Sequence, residues 1–341
     1  MSGQGTVLVT GGSGFIGGWC VIGLLKQGYT VRTTVRNLAR EGGVRAALAK
    51  AVDPQDRLSF YAADLMGDTG WDEATAGCDY VLHVASPLGV AEPKDPNELI
   101  TPAREGARRA VSAAIKAGVK RVVLTSSVAA ASKGSHGPDS VADETQWTDL
   151  KAPGVSAYYQ SKTLAEQAAW DLIRASGGAT TLATVNPSLV LGPVLSGDFS
   201  SSVQVVERLM SGRVPGLPRL GFNFVDVRDV ADLHIRAMTA PEAAGERFIA
   251  AGTFAWMADL ATLLKARLGA DAAKVPTRKV PDFVLRLAGI FDADLKSVTP
   301  SLGLKHDYSS AKAQSLLGWK PRPLEDTVLD CARSLVANGV V

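Results

Sequence analysis

Cysteine is scarce in this sequence: only Cys20, Cys78 and Cys331 occur in 341 residues. The number is odd, and no two of them stand in a Cys-x-x-Cys spacing. That excludes a disulfide-stapled scaffold and a thiolate metal or redox motif. It leaves the three as small core residues of a protein from a reducing compartment. Histidine is equally thin. His83, His136, His234 and His306 fall at no ligand-like interval, so no metal centre is expected. Net charge is almost lacking, with 36 Lys and Arg against 34 Asp and Glu. Without a basic block, the chain has no footprint for nucleic acid or an anionic membrane surface. No stretch offers the ~20 uninterrupted apolar residues of a membrane span, and no charged segment leads an apolar run into a small-residue cleavage site. The expectation is a soluble, cytoplasmic protein.

What is present is ordinary globular material, 46% apolar and 21% charged, in a length that suits about two lobes. The first half alternates between two periods. Short β-branched runs lie at Thr6–Thr10, Thr30–Val35, Leu58–Ala62, Tyr80–Ala85 and Arg121–Ser126. Helical spacing fills Phe15–Gln27, Arg40–Val52 and Glu98–Ala117, each closed by a nearby Gly28, Pro54 or Gly118. Continuous apolar strands are covered on both faces, so the pattern predicts an α/β fold with a Rossmann-type, doubly wound parallel sheet. A helix over Ala157–Ala175 and a strand over Thr181–Val185 complete six strands.

After Asn186-Pro187 the rhythm breaks. Residues 188–222 read as long loops around one helix, Ser202–Met210; strands follow at Phe224–Val227 and Arg247–Ala251, with a helix over Val230–Ala240 between them. The remainder is mostly helical, with prolines punctuating Pro276–Pro300. We therefore expect a dinucleotide-binding domain over 1–187 plus about 223–252. A smaller, mostly helical substrate lobe would take about 188–222 and 253–341. Nothing decides between monomer and homodimer.

The first strand runs directly into a glycine-rich turn, with Gly11, Gly14 and Gly17 at three-residue spacing around Phe15 and Ile16. A tight turn needs a residue that tolerates positive φ, and a pyrophosphate needs backbone N–H groups unobstructed by Cβ. The following helix start supplies free donors and a favourable dipole. The strand–turn–helix order makes this a dinucleotide site. A site that prefers NAD usually ends its second strand in Asp or Glu, to accept from the ribose hydroxyls. Here Arg36 takes that place and Arg40 follows. A guanidinium can grip a 2′-phosphate bidentately, so NADP(H) is the expected cofactor. Arg32, four residues before Arg36 on the same strand, is either part of that grip or an exposed strand residue. Asp64, followed by Leu65 at the end of the third strand, is either an acceptor for the adenine amino group or a turn cap.

Tyr158 and Lys162 lie four apart in a helical segment, on one face and one turn apart. A free tyrosine has a pKa of ~10, and a nearby ammonium favours its phenolate. Such a pair suits proton exchange with a carbonyl or alcohol oxygen. Ser126-Ser127 ends the fifth strand, at the sheet edge where ligands of open parallel sheets sit, and a hydroxyl there can polarise the substrate oxygen.

Taken together, these segments resemble the extended short-chain dehydrogenase/reductases, and within them the dihydroflavonol reductase and cinnamoyl-CoA reductase-like group. The similar stretches are the glycine turn, Thr30–Arg36, His83–Pro87, Lys94–Pro96, Leu124–Ser127, Tyr158–Glu166, Asn186–Pro193, Val225–Ala231 and Leu317–Thr327. The resemblance implies a Ser–Tyr–Lys mechanism. Ser127 would hydrogen-bond a carbonyl, Tyr158 would donate the proton, and Lys162 would bind the nicotinamide ribose and depress the Tyr158 pKa. Asp64 would contact adenine, while Ala85, Pro187 and Val190 would flank the nicotinamide half. Ser132 stands where the plant dihydroflavonol reductases carry a flavonoid-contacting asparagine, and Asn223 about where they have a glutamine. Both are candidate substrate contacts, and the change points away from a planar polyphenol towards simpler aldehydes or ketones. Two other readings are an NAD-dependent nucleotide-sugar epimerase or dehydratase and a non-catalytic dinucleotide sensor.

Overall fold

Seven strands form one parallel sheet in the computed structural model, which describes residues 4–87, 93–132, 141–197, 199–290 and 299–341. In chain order the first part is β1 (Thr6–Thr10), α1 (Phe15–Lys26), β2 (Thr30–Val35), α2 (Glu41–Ala49), β3 (Leu58–Ala62), α3 (Trp71–Thr75), β4 (Tyr80–His83), α4 (Asn97–Ala117) and β5 (Arg121–Thr125). Then come β6 (Val141–Ala142), α5 (Ala157–Ser176), β7 (Thr181–Pro187), β8 (Leu189–Leu191), α6 (Gln204–Ser211), β9 (Gly221–Asp226), α7 (Val227–Thr239) and β10 (Arg247–Ala250). The last part holds β11 (Phe254–Trp256), α8 (Met257–Leu268), α9 (Asp282–Ala288), β12 (Asp307–Tyr308) and helices at Ala311–Leu317 and Leu324–Ala337.

The sheet order is β10-β7-β5-β4-β1-β2-β3, so the chain reverses direction of travel between β1 and β4. Period-two alternation sends successive strand residues to opposite faces. Val7 and Val9 of β1 pack with Cys20, Val21 and Leu24 of α1 and with Val230 and Leu233 of α7. Leu8 between them packs with Val111 and Ala114 of α4 and Ala169 and Trp170 of α5. Both faces are covered, which is why these strands read as unbroken apolar runs. Helix α4 ends where Gly118 turns at φ +67°. All three cysteines are free and buried. No helix among the described residues is long and apolar enough to cross a membrane.

The second half departs from the sequence reading in its strands. The strand expected near 224–227 begins at Gly221 and pairs outside the main sheet. It forms a three-stranded sheet of order β11-β9-β8, parallel to β8 and antiparallel to β11. Strands of three residues, such as β8 and β11, are too short to show a period, so 188–191 and 254–256 gave no signal. This small sheet and helices α6, α8 and Leu324–Ala337 share a second core, including Phe224, Leu209, Leu260 and Cys331. Two-residue strands β6 and β12 pair in parallel and stitch the C-terminal part onto the segment after β5.

Trp319 anchors the C-terminal part to the main core. It is fully buried, and its indole N–H donates to the Asp229 carbonyl of α7 at 2.8 Å. Trp319→Phe keeps most of the apolar volume but removes this hydrogen bond, a loss of about 1 kcal/mol. A thermal melt is expected to show a midpoint lower by a few degrees; an unchanged midpoint would count against the anchor.

Candidate active site

Because the seven strands are parallel, the turns that follow them collect along one edge of the sheet. Register fixes their neighbours there. Thr10 pairs with His83, Val35 with Ala62 and Thr125 with Val185. From one side to the other, the edge therefore presents Ser188–Val190, Ser126-Ser127, Ala85-Ser86, the glycine turn, Arg36 and Asp64. The reversal of strand order falls between the glycine turn and Ala85, the usual place for a ligand in an open α/β sheet.

The glycine turn is held from below. Gly11 adopts φ +70°, and its amide and that of Gly12 donate to Thr34 and Thr33 hydroxyls at 3.0 Å. A Cβ on Gly17 would lie 2.3 Å from the Gly11 carbonyl oxygen, so α1 can only press this close to the turn without one. Gly14 is the N-cap of α1. No side chain caps this helix start, and no acidic residue lies in its first turn. Phe15 and Ile16 fill that turn and lean on the core. The backbone donors of the turn and helix start thus suit an anionic pyrophosphate. Ala85 closes the other side, its Cα 3.0 Å from a Cβ placed on Gly11, and its amide donates to Thr10 Oγ1.

Arg36 is exposed directly after β2, and no carboxylate of the described residues pairs with it. Arg40 is exposed at the end of the short turn Leu38–Arg40, which Asn37 caps by accepting from the Ala39 amide. Arg32 belongs elsewhere. Its guanidinium donates to the Glu73, Ala74 and Ala76 carbonyls, closing the end of α3, so it is a structural residue. Asp64 is exposed and accepts from the Met66 amide at 2.8 Å, so the turn-cap reading is realised at one carboxylate oxygen. Leu65 lies against Gly106 of α4, where a Cβ would come within 2.5 Å of it.

Ser156 caps α5, which then carries Tyr158 and Lys162 one turn apart. Tyr158 reaches back to Ser127, its hydroxyl donating to Ser127 Oγ at 3.3 Å. Ser127 is buried and caps the turn Val128–Ala130, accepting from the Ala129 amide at 3.1 Å. Lys162 is 6% exposed and donates to Ser86 Oγ at 2.9 Å, a partner that sequence spacing could not reveal. Burial pushes its pKa down to about 8. The expectation that Lys162 draws the Tyr158 phenol below its ordinary value is not met. Burial pushes that phenol up, the Ser127 hydrogen bond offsets only part, and the Lys162 nitrogen lies 5.7 Å from the Tyr158 ring centroid. A phenol kept neutral is a proton donor.

The two candidate substrate contacts are already engaged. Ser132 is buried; its amide donates to Thr148 Oγ1, and its hydroxyl is bound to the Tyr308 hydroxyl. Tyr308 also bonds Tyr159, whose ring stands edge-on to Tyr158 at 6.2 Å. Asn223 donates to Asp307 at 2.7 Å, while its own buried carbonyl oxygen has no partner. Both side chains thus meet β12, which the sequence left unmarked. Pro187 and Val190 are buried at the end of β7 and in β8.

His83 and His234 are core residues, as their contexts predict. His83 pairs with Thr10 Oγ1, His234 with Thr125 Oγ1 and the Val230 carbonyl, and burial lowers their pKa values to about 3 and about 4. His136 lies outside the described residues. Among the described residues, no cluster of His, Cys, Asp or Glu could hold a metal ion.

A doubly wound parallel sheet with a glycine-rich first turn is the frame of dinucleotide-binding enzymes. Residues 7–251 match the model of the NAD dependent epimerase/dehydratase family. The chain belongs to that family, the extended short-chain dehydrogenases/reductases. It is 34% identical to dihydroflavonol 4-reductase from Zea mays over 99% of this chain and 90% of that protein. It is 38% identical to cinnamoyl-CoA reductase 1 from Arabidopsis thaliana over 72% and 70% of the two chains. Among solved structures it resembles the yeast methylglyoxal/isovaleraldehyde reductase complexed with NADPH, with a TM-score of 0.80, 26% identity, and 98% and 100% coverage.

Proposed function

We propose that the chain reduces an aldehyde or ketone to the alcohol with NADPH, and can run the reverse oxidation. The observation that carries this reading is the Ser127–Tyr158 hydroxyl contact beside buried Lys162, on the same sheet edge as the glycine turn and Arg36. NADPH, when bound along that edge, supplies a hydride to the carbonyl carbon. The chain's own groups do the rest. Ser127 donates to the carbonyl oxygen and Tyr158 gives it the proton. Lys162 holds the ribose hydroxyls, and the amides at the start of α1, from Phe15 on, take the pyrophosphate. Ala85, Pro187 and Val190 enclose the nicotinamide half, while Asp64 and Leu65 receive the adenine. The substrate itself sits against the second lobe, 188–222 and 253–341. Relatives named for a cinnamoyl thioester, a dihydroflavonol and small aldehydes all support a carbonyl substrate of this kind.

The deciding experiment mixes purified protein and NADPH with a panel of aliphatic and aromatic aldehydes and ketones. Loss of the reduced-nicotinamide absorbance with at least one of them is expected. No turnover with any, together with epimerisation of a nucleotide sugar in NAD, would overturn the proposal.

Arg36 and Arg40 receive the 2′-phosphate in this reading. Arg36→Asp replaces a charge-assisted grip with a repulsion, worth about 10²-fold in NADPH affinity. The Kd for NADH, which lacks that phosphate, is expected to change far less. Equal losses for the two nucleotides would reject the assignment.

A further inference from the structure

Glu166 lies one helical turn beyond Lys162, on the face of α5 that carries Tyr158, and it is fully buried. Its carboxylate gathers donors from four elements. Arg247 Nε of β10 donates at 2.6 Å, Ser126 Oγ beyond β5 at 2.5 Å and Asn186 Nδ2 of β7 at 2.9 Å. Thr184 Oγ1 of β7 follows at 3.1 Å, and Trp170 Nε1 of α5 itself at 3.4 Å. Glu166 also lines the same small cavity as Lys162, Ser86 and Ser126.

A carboxylate taken out of water needs compensating partners, and Arg247 alone would supply the charge. The remaining partners lead to the backbone of Ser127. Asn186 Nδ2 donates to the Ser127 carbonyl at 3.1 Å as well as to Glu166. Arg247 also donates to the Ala130 carbonyl at 3.2 Å, and to the Glu144 and Gln146 carbonyls at 2.8 and 2.7 Å. Both ends of the Ser127–Ala130 turn are therefore tied to Glu166. The Ser127 hydroxyl takes its direction from that turn, through the bond from the Ala129 amide.

We propose that Glu166 is a positioning residue: through Asn186 and Arg247 it fixes the 127–130 turn so that the Ser127 hydroxyl faces Tyr158. This rests on the Ser–Tyr–Lys chemistry proposed above. Glu166 is fully buried and acts through Asn186 and Arg247. Its effect comes from geometry, since a shift of about 1 Å in a reacting group can lower a rate by about 10²-fold.

Two variants test it in the full-length chain, with kcat, carbonyl KM and NADPH Kd measured for each. Asn186→Ala cuts the link to the Ser127 carbonyl and leaves the Glu166–Arg247 pair intact. Its kcat is expected to fall at least about tenfold, with NADPH Kd within about twofold of the parent. The second is Glu166→Met/Arg247→Met, which removes both charges at similar volume, so the fold is expected to survive. Its melting midpoint should stand above that of Glu166→Met alone, while kcat stays low. If the paired variant recovers kcat together with its midpoint, or if Asn186→Ala keeps full kcat, Glu166 is only half of an ion pair and the proposal fails. Should the paired variant not fold, the Asn186→Ala result decides. A parent chain that reduces no carbonyl refutes the reductase reading itself; active variants of an active parent refute the inference about Glu166 alone.

Discussion

Tyr158→Phe is expected to lower kcat by about 10²–10⁴-fold, the range that a positioned general acid contributes. The phenol donates to Ser127 Oγ, and burial holds it in the neutral form. Phenylalanine keeps the ring and its edge-on contact with Tyr159, so the fold should be undisturbed. NADPH affinity should change by less than about tenfold, the worth of one neutral hydrogen bond. Steady-state rates set beside a fluorescence titration with NADPH separate the two effects. Full turnover by the variant would remove Tyr158 from the chemistry, and a parallel collapse of NADPH binding would recast it as a cofactor ligand.

Lys162→Met is expected to destroy activity while making the chain more stable. Burial lowers the Lys162 pKa from 10.5 to about 8, a difference of about 2.5 units. In the unfolded chain the amine is protonated up to about pH 10.5; in the folded chain it holds its proton only below about pH 8. The folded state therefore carries the full penalty below pH 8. The penalty shrinks as pH rises from 8 to 10.5 and is gone above. At pH 7 it amounts to about 3 kcal/mol. Methionine fills similar space with no charge to desolvate. Thermal melts without added nucleotide should place the variant on the order of 5 °C above the parent at pH 7, with the gap closing towards pH 10. A gap that is absent at pH 7, or one that does not vary with pH, would show that burial does not strain this lysine. Such a trade, stability given up for a charged group in a site, is common at catalytic centres.

Much of the site was legible because its chemistry is written in short-range order. The Gly11–Gly17 turn, with the strand before it and the helix after it, occupies one continuous stretch. Tyr158 and Lys162 share a face because four residues make about one helical turn. Parallel strands then bring the residues after each strand to one edge, which is how Ser127, Arg36 and Asp64 come to lie along it without any sequence proximity. The first half of the chain was readable for the same reason, since its strands alternate with helices long enough to show their period. What stayed hidden is held by pairs far apart in the chain. Lys162 and Ser86 are 76 positions apart, Glu166 and Arg247 are 81, and Asn223 and Asp307 are 84. No local period marks such partners. Glu166 alone left a trace, as the next polar residue on the Tyr158–Lys162 face. The Tyr158 pKa was misjudged for a related reason: spacing shows which charge is near, but not how little water remains around the phenol.

The parallel pairing of β6 with β12 bears on how such a protein can be altered or inherited. Residues 307–308 complete a ribbon begun at 141–142, and Tyr308 thereby hangs beside Tyr159 and Ser132. A chimera that grafts the tail of one relative onto the head of another would mismatch this seam, even with every residue of the proton-transfer site retained. A graft must therefore carry both sides of the ribbon to keep Tyr308 beside Tyr159 and Ser132.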